Sequence, residues 1–136
     1  PAASPAACPG TAGAVDREVL NALLASLGSE TSAQLVGSFL DDVGAALIRI
    51  EEALGEGNLA RLERDSHILS GLAPTFGLIP LSQAARALNR ACRAGDQETA
   101  LAQARLLVPC GREGLAAFRK VTVEAGFATL SHATTA

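Results

Sequence analysis

Residues 29–57 read SETSAQLVGSFLDDVGAALIRIEEALGEG, and this stretch decides the fold class. Leu35, Phe39, Val43, Leu47, Ile50 and Leu54 recur at spacings of four and three. That is the period of one buried face on an α-helix, and no alternating pattern rises above it. The helix is expected to begin near Ser29 to Thr31 and to end at Gly55 and Gly57. With a single apolar stripe it needs other helices to cover it.

Those helices follow on either side. Residues 58–77, NLARLERDSHILSGLAPTFG, carry a stripe of Leu59, Leu62, Ser66, Leu69 and Ala73 behind Asn58, a natural N-cap. Pro74, Thr75 and Gly77 should close or kink that helix. Pro80 opens a fourth helix that buries Leu81, Ala84, Ala85, Leu88 and Cys92 and stops at Gly95. Asp96 can cap a fifth, from about Gln97 to Glu124, which Pro109 and Gly111 should kink or split in two. Upstream, a short helix runs from Asp16 to Leu27, with Gly28 as its stop. Four substantial amphipathic helices joined by short loops predict an all-α, up-and-down four-helix bundle with an additional short N-terminal helix.

Outside the bundle the composition changes. Residues 1–14, PAASPAACPGTAGA, are uncharged and contain three prolines, so they read as a flexible Pro/Ala linker. Residues 15–125 form the expected domain, and 126–136 read as a fraying C-terminal tail. The chain lacks an initiator Met, and with the linker-like start this points to a piece of a longer protein.

The chain has 136 residues, 49% hydrophobic and only 3% aromatic, with no Trp, Tyr or Met. Leu and Ala therefore build most of the core, with Phe39, Phe76, Phe118 and Phe127 as its large pieces. A net charge of −3, with acids and bases interspersed, gives no basic footprint for nucleic acid. No apolar run approaches the ~20 residues of a spanning helix, so no direct membrane contact is expected. Nor does the start resemble a secretory signal. Cys8, Cys92 and Cys110 are odd in number and lack paired spacing. That argues against a disulfide framework or a zinc site, and for a reducing cytoplasmic setting in which Cys92 and Cys110 are small buried hydrophobes.

Of the two histidines, only His67 lies within a strong helical pattern. At ~100° per residue it falls well to one side of the buried stripe. Its neighbours one turn away are Arg64, Ser70 and Gly71, so the imidazole should project into solvent beside open space. A solitary helical histidine is often mere surface, but Gly71 argues otherwise. Glycine costs about 1 kcal/mol relative to alanine inside a helix, and a purely structural helix gains nothing for it. A partner that must press against the imidazole does gain from a bare backbone.

The run His67-Ile68-Leu69-Ser70-Gly71-Leu72-Ala73, followed by Phe76-Gly77, resembles the signature of histidine-containing phosphotransfer (HPt) domains. That signature has a histidine, then a hydrophobe two on, a lysine three on, a glycine four on, small residues and a second glycine about ten on. Leu81, Ala85 and Leu88 fall where the family's next helix has apolar residues, and the likeness spans roughly residues 16–122. Two departures stand out. Ser70 replaces the family lysine, and Asn89 stands where Glu or Gln is frequent. Arg64, or the row Arg86, Arg90 and Arg93, could restore the missing cation, and Asn89 could reach the imidazole region if its helix is adjacent.

The resemblance implies that His67 is the phosphorylated residue, with Arg64, Ser70, Gly71, Asn89 and Arg93 supporting partner binding. Response-regulator receiver domains are the implied partners, and they bring the Mg²⁺, so the chain has no cofactor or metal of its own. No nucleotide loop is present, and no kinase activity is expected. The implied setting is the C-terminal domain of a hybrid sensor histidine kinase, a cytoplasmic monomeric piece whose parent is tethered to an inner membrane and contributes its own kinase and receiver domains. The competing readings are an HPt-like docking module that carries no phosphate, a di-iron bundle and a dimeric kinase phosphoacceptor helix. The di-iron reading lacks Glu-x-x-His pairs. The kinase-helix reading expects an acid after the histidine, where this chain has Ile68.

Overall fold

The structure, a computed structural model, describes residues 15–124, which form five helices and no strand. They are α1 (Arg17–Ala25), α2 (Ser29–Glu56), α3 (Leu59–Thr75), α4 (Ile79–Arg93) and α5 (Gln97–Glu124). The expected linker at 1–14, the tail at 126–136, Cys8, Phe127 and His132 lie outside the described residues.

The boundaries follow local chemistry. Asp16 caps α1 by accepting the amides of Glu18 and Val19 at 3.0 and 3.2 Å. Asn58 caps α3 through the Arg61 amide at 3.2 Å. Asp96 accepts the Thr99 amide at 3.1 Å at the start of α5. At the other ends Gly57, Gly77 and Gly95 adopt φ of 67°, 85° and 74°, the left-handed geometry glycine takes without penalty. Gly55 remains inside α2, two residues before the Gly57 that ends it. α1 ends two residues before the expected Leu27.

α2 to α5 each pack on the next helix in sequence, and α2 closes the ring against α5. With such short connections this is the expected up-and-down bundle. The predicted stripes are the core, with Val43, Leu47 and Ile50 of α2, Leu62, Leu69 and Ala73 of α3, and Leu81, Ala85 and Leu88 of α4 all buried. Leu35, Leu54 and Leu59 are only partly buried at its margin. Phe39, Phe76 and Phe118 meet at one end of the core, Phe39 and Phe76 stacked at 3.9 Å between ring centroids. α1 lies over that end through Leu20 and Leu24, and the Asp16 amide donates to the Gly77 carbonyl at 2.6 Å. A Cβ on Gly77 would lie 2.6 Å from the Asp16 carbonyl oxygen, so glycine is required there for space as well as for φ.

Of the kink or split expected in α5, the split does not occur: α5 is a single helix through Pro109 and Gly111. Pro109 lies on the exposed face and removes one amide, the one that would reach the exposed Arg105. Gly111 faces inward, where an added Cβ would come within 2.5 Å of Leu47. It marks the close approach of α5 to α2.

Candidate functional site

α3 presents a solvent-facing ridge because its apolar stripe is committed to the core. Leu62, Ser66, Leu69 and Ala73 are buried, while Arg64, His67, Ile68, Gly71 and Thr75 are exposed. The His67 imidazole makes no hydrogen bond to any described residue. An added Cβ at Gly71 would meet nothing within 4 Å, so the space over this turn is open.

On the α4 side of the ridge runs a shallow groove of about 460 Å³, lined by Glu63, Arg64, His67, Ile68, Asn89 and Arg93 among others. It brings four of the expected site residues together. On the α2 side lies a second groove of about 320 Å³, lined by Asp42, Ala45, Arg49, Ile68 and Leu72. Ile68 belongs to both and forms the crest between them.

The polar groups around His67 divide into committed and free. The Asn89 amide nitrogen donates to the Glu63 carbonyl at 3.0 Å and to the Ser66 hydroxyl at 3.3 Å. Asn89 therefore clasps α4 to α3 one turn before His67, and both its N–H groups are spent on that clasp. The Ser70 hydroxyl donates to the His67 carbonyl at 2.7 Å, a local back-bond that supplies no cation. Ser70 and Gly71 are not among the groove lining. Arg17, Arg49, Arg61 and Arg112 are paired with acids. Arg64, Arg86, Arg90 and Arg93 form no ion pair among the described residues, and two of these four line the groove beside His67. Burial, reinforced by the charge of Glu63, pushes the nearby Cys92 thiol up. Among the described residues no three His, Cys, Asp or Glu side chains are grouped to hold a metal ion.

The Hpt domain family profile matches residues 34–120, which hold the ridge and both grooves. The chain belongs to the Hpt domain family. Hpt domains are phosphotransfer modules of two-component signalling that work with receiver domains, and this chain shares that role. The Hpt bundle is also similar to histidine-containing phosphotransfer protein B (HptB) from Pseudomonas aeruginosa PAO1. The TM-score is 0.71 at 20% identity, over 79% of this chain and 92% of that one. No curated protein sequence matches the chain. No helix of the described Hpt bundle is long and apolar enough to cross a membrane.

Sequence reasoning missed Asp65, which lies beside this candidate site. Two residues before His67, it is fully buried, with Oδ1 accepting the Arg49 Nε at 2.9 Å and Oδ2 without a hydrogen-bond partner. The available signal was its phase, since ~200° from His67 puts it beside Leu62 and Leu69 at the edge of the buried stripe.

Proposed function

We propose that this chain is a phosphorelay carrier that accepts a phosphoryl group on His67 from a receiver-domain aspartate and passes it to another receiver. The observation that supports it is the unpartnered imidazole exposed on the α3 ridge, with open space over Gly71. A neutral imidazole nitrogen attacks the phosphorus of the aspartyl phosphate. The N–P bond forms, the P–O bond to the aspartate breaks, the carboxylate leaves, and the ring sheds a proton from its other nitrogen. The return step reverses this, with imidazole as leaving group. Phosphoryl transfer asks mainly for in-line positioning and neutralisation of the transferring oxygens.

In this reading Gly71 lets the receiver approach, Arg64 and Arg93 replace the cation absent at Ser70, and Asn89 fixes α4 against the turn that carries the imidazole. Mg²⁺ belongs to the receiver, and the chain itself contributes neither cofactor nor kinase activity. Residues 15–125 are the carrying unit. Its work lies in the cytoplasm, alone or tethered to a hybrid sensor kinase.

The test is incubation with receivers loaded by acetyl phosphate and Mg²⁺. The wild-type protein should acquire acid-labile, base-stable phosphate, and His67→Ala should acquire none. The docking-module alternative draws support from the back-bonded Ser70. It predicts receiver binding without any such phosphate in the wild-type protein.

A further inference from the structure

The Arg49–Asp65 pair is an expensive way to join α2 to α3. The Asp65 side chain is 0% exposed and Arg49 is 39% exposed. One carboxylate oxygen has no hydrogen-bond partner. Burying an ionised carboxylate is costly, and a half-satisfied pair is generally no more stabilising than apolar side chains of similar volume. Helix packing alone therefore does not account for it.

The geometry accounts for more. Asp65 grips only the Nε edge of the guanidinium. Nη1 and Nη2 make no hydrogen bond to any described residue, so their four N–H donors remain available on a side chain whose direction is fixed from below. Arg49 lines the α2-side groove together with Ile68 and Leu72. Asp42, on the same groove, forms no ion pair with it and leaves the Nη edge of the fork uncovered. Ile68 separates this fork from the groove that holds His67, so Arg49 is placed for the partner's rim and not for the transferring phosphoryl group. A planar fork held in one orientation suits a carboxylate bidentately, at reduced entropic cost.

We infer that Arg49, aimed by the buried Asp65, is a specificity-determining contact that takes a carboxylate on the docking face of the receiver. This rests on the carrier reading above, with Asp65 as a positioning residue acting through Arg49.

The test uses the full chain and the receiver that transfers fastest to it. A double variant, Arg49→Met with Asp65→Leu, replaces the pair by apolar side chains, and Arg49→Lys retains the charge for Asp65 but loses the fork. Both should melt as folded helical proteins. Both should raise the KM for phosphorylated receiver roughly five- to tenfold with kcat at saturation unchanged. The double variant should also flatten the salt dependence of KM. A double variant with KM within twofold of wild type, at an unaltered salt slope, overturns the inference while leaving the carrier reading intact. Should the double variant fail to fold, Arg49→Lys decides on the same twofold criterion. If the wild-type protein takes no phosphate from any receiver, the carrier reading and this inference fall together.

Discussion

At Gly71 the interests of the helix and of its partner conflict. The position is exposed and an added Cβ would meet nothing within the chain. Gly71→Ala should therefore stabilise the bundle by about 0.5–1 kcal/mol through helix propensity, read as a higher Tm. The same methyl stands where a receiver must approach, so transfer should slow. Gly71→Arg should block transfer with the circular dichroism spectrum unchanged; normal transfer by that variant would remove the docking role given to this glycine. Both His67 and Gly71 were legible in the sequence because helical phase alone separates them from Leu62, Leu69 and Ala73. Asp65 was missed, and Asn89 was legible only in part. A charged residue at the margin of a stripe reads as surface until the facing Arg49 is known. The commitment of the Asn89 amide to the Glu63 carbonyl depends on how α4 is rotated against α3, which a single-helix projection does not contain.

For the helices, the caps carried the reading. Asp16, Asn58 and Asp96 each precede an apolar stripe, and each accepts amides of the first turn that would otherwise lack a partner. At Asp96 the Thr99 hydroxyl donates at 2.7 Å and the Thr99 amide at 3.1 Å, which together hold the carboxyl below its ordinary range. A carboxyl lowered on folding stabilises above its unfolded pKa of about 4, and that contribution is lost as pH falls through the lower folded value. Asp96→Asn should keep the cap and remove this part of the acid sensitivity, measured as the pH dependence of Tm below pH 5. Pro109 misled because proline reads as a breaker in any helical pattern, whereas on an exposed face it forfeits one solvent-facing bond and the helix continues. Gly111 misled for the opposite reason. It reads as a weak point in α5 but is the place where Leu47 presses in. Gly111→Ala should therefore destabilise by about 1–3 kcal/mol through overpacking, despite the gain in helix propensity, as urea unfolding would show.

Across the whole molecule, four stripes cover one another around a ring, and α1 covers the end occupied by the phenylalanines. Polar and charged ridges face outward, and the exposed large hydrophobics among the described residues, Val19, Ile48, Ile68 and Val123, are few, so no large apolar face among those residues calls for a second copy. Light scattering should report a monomer of about 13.8 kDa, and a stable dimer would revive the kinase-helix reading. The Hpt profile match and the similarity to HptB agree with the bundle that the stripes alone prescribed. The aromatic cluster has a practical corollary. Its three rings are all phenylalanine and the chain contains neither Trp nor Tyr, so the protein is dark in the near-ultraviolet emission window. A lone indole introduced at exposed Ala60, two turns from His67 on the same ridge, would be the carrier's sole fluorophore and would report the arrival and departure of a receiver in real time.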